Sequence, residues 1–195
     1  NPILGLEAYV AKEDSYKKDS SEKSPYHLTL LSQNIKGYQN LMKLVTHSNL
    51  NGFYYKPRID KKILEENSEG IIALSGCPSS ELSRAIISEN DNKVKETYGW
   101  FNEVFKENFY LEIMEHKGVP NQEKINKELL RINSQDNIPI VITNDNHYVN
   151  KNDHLAHELL MCLQTNSNIN DPNRFKFDDD NYHIKSSEEM YDQWK

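Results

Sequence analysis

The sequence predicts an α/β fold with a parallel or mixed sheet, or part of a β/α barrel. Apolar, β-branched segments of strand length alternate with segments whose apolar residues recur at a helical period. The predicted strands are 3–10, 26–31, 70–75, 108–114 and 138–143. Strands that alternate with helices in this way are typical of βα units.

Composition sets the limits of the fold and function. The chain has 195 residues and 36% hydrophobic residues, which is enough for one domain with a hydrophobic core. A net charge of −7 argues against a surface that binds nucleic acid everywhere, although a local basic face remains open. No apolar run approaches the roughly 20 residues of a membrane span, and the chain shows no signal peptide. Two cysteines, Cys77 and Cys162, are typical of a reducing, cytoplasmic protein.

Both ends of the chain are informative. The sequence begins at Asn1 in an apolar strand pattern and stops at Lys195 within a helical pattern. We therefore expect it to be an internal piece of a longer polypeptide.

The first strand carries an acidic residue. Glu7 stands among apolar neighbours in strand 3–10. A carboxylate in a buried strand is costly unless it is paired or metal-bound, whereas an edge strand would leave Glu7 in water, and both interpretations stay open. The charged, Ser-rich residues 11–24 predict a mobile surface loop. His27, near the start of strand 26–31, occupies a position where a structural role is more common.

A helix and an aromatic segment follow. Apolar residues at a helical period predict a helix over 35–49, with His47 on its outer part. Segment 52–60 is aromatic and basic. Such residues can stack on bases and touch phosphates, but a packed loop, with Lys56 extended before Pro57, is the favoured interpretation.

Strand 70–75 ends in a small-residue turn that carries Cys77, and Pro78 then begins a helix. A free cysteine is usually a small buried hydrophobe. At a strand end that faces other ligands, it can instead bind a metal as a thiolate.

A helix predicted over 92–105 precedes strand 108–114. That strand ends before His116, and an amphipathic helix is predicted over 121–136. His116 is thus a second ligand-type residue at a strand end.

Strand 138–143 is followed by Asp145 and His147. In an extended backbone, residues i and i+2 point the same way, so both side chains are predicted to aim at one point. In folds with parallel strands, ligands and catalytic groups collect at the carboxyl ends of strands. An isolated Asp-x-His is a weak signal and is more typical of an ordinary strand-end turn with a solvated histidine. Because three successive strand ends carry such residues, the pattern favours a metal site at the rim of a barrel.

The remaining segments predict packing elements. A helix is predicted over 153–163 with Asp153 as its N-cap. His154 and His157 can share a face of this helix, but no third ligand is adjacent, so they are interpreted as surface or packing residues. Residues 182–185 predict a short strand, and 186–189 a helix cap.

Several segments together resemble the polymerase-and-histidinol-phosphatase (PHP) domain, and more narrowly that domain in bacterial DNA polymerase III alpha subunits. The resemblance covers nearly the whole chain, and its motifs are 5–10, 26–28, 37–41, 52–60, 74–77 and 143–148. The aromatic–basic segment and the Leu-Ser-Gly-Cys turn distinguish this subfamily from free-standing phosphatases.

The resemblance implies a fold and its limits. The fold would be the C-terminal part of a distorted seven-stranded β/α barrel with a metal cluster at its rim. Residues 1–185 would be this domain without its N-terminal strands, and 186–195 would begin the connection toward a polymerase core.

The resemblance also implies a ligand set. Its members in this sequence would be Glu7, His27, Cys77, His116, Asp145 and His147. A His-x-His pair, a further Asp and a further His would precede Asn1. Lys117 stands where the family more often has glycine, and an inward-pointing cation there would weaken metal binding.

The implied function is that of a replicative DNA-directed DNA polymerase. Its nucleotidyl-transfer carboxylates, with Mg²⁺, would lie downstream of Lys195. The ligand set suits a divalent cluster of Zn, Mn or Fe, and one thiolate favours Zn. Our hypothesis for this site is phosphoester hydrolysis, such as 3′–5′ exonuclease activity, by a metal hydroxide with Asp145 and His147 as catalytic residues.

The implied partners are DNA, a proofreading exonuclease subunit and a sliding clamp, with no membrane. Two alternatives stay open. One is a free-standing metal-dependent phosphoesterase such as histidinol phosphatase. The other is a non-catalytic domain that docks the proofreading exonuclease and whose metal only stabilises the barrel.

Overall fold

Strands and helices alternate along residues 2–195, the part of the chain that the computed structural model describes. The strands are β1 Gly5–Val10, β2 Tyr26–Ser32, β3 Arg58–Ile59, β4 Ile71–Leu74, β5 Phe109–Ile113 and β6 Ile140–Ile142. The helices are α1 Ile35–Leu50, α2 Lys61–Glu66, α3 Glu81–Ile87, α4 Asp91–Phe105, α5 Gln122–Asp136, α6 His154–Thr165 and α7 Ser187–Gln193. Within residues 2–195, no helix combines the length and apolar character that crossing a membrane requires.

The six strands form one mixed sheet in the order β3-β1-β2-β4-β5-β6. β1 is parallel to β3, and β4, β5 and β6 are parallel to one another. β2 alone is antiparallel to both of its neighbours. Its first residues therefore lie at the edge where the other strands end, as the pairing of His27 with Tyr9 shows. The predicted α/β class with a mixed sheet is confirmed.

The two faces of the sheet have different chemistry. One face carries buried apolar residues that pack against the helices, among them Ala8, Val10, Leu28, Leu30, Ala73, Phe109 and Leu111. Each large side chain of this kind contributes about 1.5–3 kcal/mol when fully buried. Because successive side chains of a strand alternate between faces, Glu7, His27, Thr29 and Glu112 point to the other face. The alternation thus separates the hydrophobic core from the polar face.

Residues 11–24 differ from the prediction of a mobile loop. Glu22, in the short 3₁₀ helix Ser20–Lys23, and Ser15 are fully buried. Arg58 of β3, also fully buried, donates to Glu22 at 3.2 Å and to the carbonyl oxygens of Ser15 and Lys17 at 2.8 and 2.9 Å. The partner that fixes this segment comes from a distant strand, so the local composition could not reveal it.

Short elements account for the other differences. β3 and α2 lie where the sequence predicted no regular structure, because elements this short show no periodicity. The strand predicted over 182–185 is only an isolated bridge between Tyr148 and His183. Ser80 caps α3, and Ser186 forms the predicted capping box at α7. Asp153 directly precedes α6, but it does not cap this helix, because its carboxylate accepts from the Asn150 amide at 2.8 Å instead.

Candidate metal centre

The polar face brings three predicted ligands together at the strand-end edge of the sheet. Glu7 comes from β1, His27 from the start of the reversed strand β2, and Cys77 from the turn after β4. One ligand atom of each lies within 4.8 Å of the other two. His27 Nδ1 is 2.9 Å from Glu7 Oε1 and 3.6 Å from Cys77 Sγ. A strand of reversed direction explains why a histidine at a strand start shares a site with residues after strand ends.

A proton on His27 Nδ1 faces both the Glu7 carboxylate and the Cys77 sulfur. The hydrogen bond to the Cys77 sulfur and that to the Glu7 carboxylate raise the pKa of His27 to about 9. The same hydrogen bond from His27 lowers the pKa of Glu7. A divalent cation would take the place of this proton among the same oxygen, nitrogen and sulfur atoms.

The environment of Glu7 answers a question that its sequence left open. The Glu7 side chain is 59% exposed. β1 lies between β3 and β2, but β3 pairs only with Tyr9 and Val10, so Glu7 has a strand neighbour on the β2 side alone. Glu7 therefore lies on the polar face, outside the core, where a carboxylate is accessible to a ligand.

The turn before Cys77 requires a glycine. Gly76 has a φ of +85°, and a Cβ there would lie 3.0 Å from both the His27 carbonyl oxygen and Ser80 Cβ. Only glycine adopts this φ without strain. Gly76 therefore lets the chain turn tightly and present Cys77 to His27.

Beneath the centre lies a buried carboxylate that the sequence interpretation missed. Glu112 of β5 accepts hydrogen bonds from the Gly76 amide at 3.0 Å, Thr143 Oγ1 at 2.8 Å and Thr29 Oγ1 at 3.4 Å. Burial raises the pKa of Glu112. Glu112 links β2, the turn after β4 and the end of β6. Its signal in the sequence was the same as that of Glu7, a single acid within an apolar strand.

The chain after β6 is not extended as predicted. Asp145 has a φ of +49°, so the argument that Asp145 and His147 point the same way was wrong. His147 Nδ1 lies 2.6 Å from the Asp145 carbonyl oxygen, which leaves Nε2 as its outer nitrogen. Asp145 is half-buried, and burial, together with the Glu7 charge, raises the pKa of its carboxyl. Asp145 thus lies near the three-residue cluster without being part of it.

His116 is buried and unpartnered. It is 2% exposed, and neither ring nitrogen forms a hydrogen bond of good geometry among residues 2–195, although the Asn144 backbone lies close enough to act on its pKa. Its ring stacks on Tyr182 at 4.1 Å between centroids, and His147 meets the same Tyr182 ring edge-on at 5.5 Å. Burial lowers the pKa of His116, which favours the neutral imidazole that binds metals. An unpaired buried polar group costs about 1–3 kcal/mol, so this side chain has the properties of a ligand without its metal.

Lys117 does not oppose a metal. Its side chain is 88% exposed, and its Nζ lies 3.9 Å from Glu115. The next residue, Gly118, permits a close approach, since a Cβ there would lie 1.6 Å from the Asp178 carbonyl oxygen. The expected weakening by an inward cation therefore does not apply.

The six predicted ligands thus form two neighbouring groups. Glu7, His27 and Cys77 form the close cluster, with Asp145 beside it, while His116 and His147 meet through Tyr182. The sequence interpretation missed Tyr182, whose aromatic signal is indistinguishable from that of a core residue. His157, predicted as a surface or packing residue, lies 5.7 Å from the His147 ring. Oxygen, nitrogen and sulfur donors of this kind suit Zn, Mn or Fe.

Comparison with known proteins identifies relatives of this chain. The family model described as PHP domain matches residues 1–116. The DNA polymerase III subunit alpha of Borreliella burgdorferi is 41% identical over 191 residues, which is 97% of this chain and 17% of that protein. The proteins of the same name from Deinococcus radiodurans and Thermus aquaticus are 41% and 39% identical, over 97% of this chain and 14% and 16% of their own lengths. The chain therefore spans less than a fifth of the curated relatives that it matches.

Proposed function

This chain belongs to the PHP domain family, and on that basis we propose that it is the PHP domain of a replicative DNA polymerase III alpha subunit and hydrolyses phosphoesters at a divalent-metal site. The name of the relatives supports the polymerase assignment over a free-standing phosphoesterase. Polymerisation by the whole protein, with its Mg²⁺ and its partners DNA, exonuclease subunit and clamp, forms part of the same proposal. The six-stranded sheet would be part of the seven-stranded barrel, with residues 1–185 in the domain and 186–195 leading toward the polymerase core.

The observation that supports the metal site is a set of metal-binding donor atoms on the polar face, some of them buried without a hydrogen-bond partner among residues 2–195. His116 holds two buried ring nitrogens without partners among the described residues, and Glu7, His27 and Cys77 place three donors within 4.8 Å. Structural polar clusters normally satisfy their own hydrogen bonds. The residues that would hold the metal are Glu7, His27, Cys77, His116, Asp145 and His147.

A bound divalent metal supplies Lewis acidity for the attack of water on a phosphoester. The chain supplies the remaining functions. Cys77 as a thiolate favours Zn. Asp145, whose pKa is raised by burial, is suited to accept a proton from the attacking water at a carboxylate oxygen. His147 is exposed, and its Nδ1 lies against the Asp145 carbonyl oxygen, so Nε2 is the nitrogen that would hold the metal beside the attacking water.

The test is Asp145→Ala in the full-length polypeptide. We expect it to abolish the chelator-sensitive removal of nucleotides from a single-stranded DNA 3′ end, while polymerisation continues. Asp192→Ala is the matched control, because Asp192 is an exposed partner of Lys195 on α7. Undiminished hydrolysis in Asp145→Ala would refute the proposed site. A chelator that lowers the melting temperature of the wild-type protein, without any hydrolysis to inhibit, would show that the metal is structural.

A further inference from the structure

One loop of the molecule exposes aromatic and basic side chains next to the metal centre. We call Phe53, Tyr55 and Lys56 the aromatic tip. The exposed fractions of Phe53 and Tyr55 are 52% and 64%, and Lys56 is also exposed. The sequence had favoured a packed loop for this segment, and the tip does not fit that interpretation.

The base of the loop is rigid. Arg58 Nε donates to the Gly52 carbonyl oxygen at 3.1 Å, and a Cβ on Gly52 would lie 1.9 Å from the Arg58 carbonyl oxygen. The Arg58 guanidinium lies over the Tyr54 ring at 5.4 Å. These contacts account for Gly52, Tyr54 and Arg58. The Tyr55 ring meets the Tyr54 ring edge-on at 4.8 Å between centroids, but most of its surface, like that of Phe53, stays exposed.

The tip itself is held in an uncommon conformation. Tyr55 has a φ of +59°, a left-handed value that is unfavourable for a bulky residue. The Tyr54 amide donates to the Lys56 carbonyl oxygen at 3.0 Å and closes the turn. Strain of this kind persists where the surrounding structure imposes it, and it is concentrated at ligand-binding segments. In this conformation the Tyr55 ring stays largely exposed.

Contacts lead from the tip to the metal centre. Lys56 Nζ lies 5.4 Å from the centroid of the Tyr9 ring. Tyr9 in turn meets the ring of His27 edge-on at 5.1 Å between centroids. On the other side, Lys23 Nζ lies 5.2 Å from the Tyr55 ring centroid. The tip therefore borders the centre. One ammonium group, that of Lys23, lies against the exposed Tyr55 ring, and another, that of Lys56, lies against the half-buried Tyr9 ring.

We propose that the aromatic tip binds the end of a single-stranded nucleic acid whose terminal phosphoester enters the metal centre. Tyr55 and Phe53 stack on the last bases, while Lys56 and Lys23 neutralise the adjacent phosphates. Exposed aromatic rings interleaved with lysines are the combination that binds single strands without reading their sequence. The chain as a whole has a net charge of −7, so the two lysines form a local basic surface on an acidic protein. The proposal rests on the proposed function, since it assigns the substrate of the same site.

The first test measures base preference in the full-length polypeptide. The substrates are two single-stranded DNA oligonucleotides that differ only in whether the 3′-terminal nucleotide carries a base. Since stacking of a base on an aromatic ring is favourable, we expect kcat/KM of the wild-type protein to be roughly 5- to 100-fold higher for the base-bearing end. Tyr55→Ala should remove this preference, and Tyr55→Phe should retain it.

The matched control is Tyr191→Ala. Tyr191 is 69% exposed and carries Lys195 Nζ at 4.9 Å from its ring, but it lies on α7. This variant should keep the full base preference. If Tyr55 had only a structural role, its loss would not alter the ratio of kcat/KM between the two ends. An unchanged preference in Tyr55→Ala would therefore overturn the proposal.

A second measurement does not depend on hydrolysis. A single-stranded oligonucleotide with 5-iododeoxyuridine at its 3′ end is irradiated with the full-length protein, and crosslinked peptides are located by mass spectrometry. Crosslinks within residues 53–56 that unlabelled single-stranded DNA suppresses support the tip, even if hydrolysis is absent and the proposed function fails. Crosslinks confined to other regions overturn the tip and leave the hydrolysis result to stand alone. A tip that instead docks a protein would give this second outcome.

Discussion

Two regions of the molecule withdraw polar side chains from water, and they do so in opposite ways. Around Arg58 and Glu22, both fully buried, the ion pair is closed. The remaining guanidinium nitrogens donate to backbone carbonyl oxygens, and the Glu22 carboxylate accepts from the amides of Lys12 and Glu13 at 3.0 and 3.1 Å. Around His116 the polar atoms are open, because both ring nitrogens lack a partner among residues 2–195.

The difference separates a buried group that stabilises the fold from one that is available to bind a ligand. A buried ion pair whose hydrogen bonds are all made fixes the chain, here the segment 11–24, and has no capacity for a ligand. A buried imidazole without partners destabilises the fold unless a ligand completes it. Ser15 gives a second example of the closed type: its hydroxyl donates to Asp60 and contacts His47 Nε2 at 2.9 Å. This Ser–His–Asp group is not a nucleophilic site, because Ser15 is fully buried and the Asp contacts the Ser rather than the His.

The largest expected effect is the loss of stability when the Arg58–Glu22 ion pair is removed. Arg58→Met should lower the free energy of unfolding by about 3–5 kcal/mol, because it leaves the Glu22 carboxylate buried without its charge partner. Hydrogen exchange of peptides that cover β1 and β3, in the full-length protein, measures the loss. Arg131→Met is the control, since Arg131 forms an exposed pair with Glu128 on α5, and it should cost at most about 1 kcal/mol. Equal losses in the two variants would show that the Arg58 network is not a stabilising element.

The next effect tests the open region. His116→Phe keeps the stack on Tyr182 and removes the two unpaired nitrogens. In the metal-free protein it should leave the free energy of unfolding unchanged or raise it by about 1–2 kcal/mol, since an unsatisfied buried group is removed. Metal should then add less protection to β5 than it adds in the wild-type protein. Hydrogen exchange with and without a chelator measures both quantities.

The control for this experiment is His154→Ala, at an exposed position of α6, which should leave both quantities unchanged. A large loss of protection in metal-free His116→Phe would mean that the imidazole has a structural role in its own right.

A smaller effect depends on pH and concerns Glu112, which lies beneath the cluster of Glu7, His27 and Cys77. Its folded-state pKa is raised by burial above the ordinary value of 4.5, so the folded state holds this proton more tightly than the unfolded state does. Its contribution to stability is therefore greatest at low pH and falls as the pH rises through the raised pKa. Glutamine does not titrate, so the stability of Glu112→Gln relative to the wild-type protein should increase from pH 4.5 toward neutral pH.

Hydrogen exchange of β5, corrected for the intrinsic effect of pH on exchange, measures this difference. Glu103→Gln, at an exposed position of α4, should show no comparable trend. A difference between Glu112→Gln and the wild-type protein that stays constant with pH would place the pKa of Glu112 at its ordinary value.

The sequence predicts the parts of this molecule that depend on local periodicity. The long helices and five of the six strands were predicted because their apolar patterns repeat, and Cys77 and His116 were identified because they follow strand ends. The rest depends on tertiary contacts. His27 joins the centre only because β2 runs in reverse, and Arg58 immobilises residues 11–24 from a distant strand. Asp145 and His147 stay predicted ligands, and the left-handed turn at Asp145 gives them a geometry that an extended strand could not predict.

The smallest expected effect concerns Lys117, the exposed cation that follows His116 in the sequence. Because Lys117 is 88% exposed and only 3.9 Å from Glu115, Lys117→Ala should change the free energy of unfolding by less than about 0.5 kcal/mol and leave metal affinity unchanged. Chelator competition measures that affinity. Lys185→Ala is the contrasting variant, since Lys185 Nζ donates to Asn144 Oδ1 at 2.9 Å behind the ligand segment, and its loss should loosen that segment and weaken metal binding. A rise in metal affinity in Lys117→Ala would mean that this ammonium reaches the centre, and the family's usual glycine would then be the better residue at this position for binding a metal.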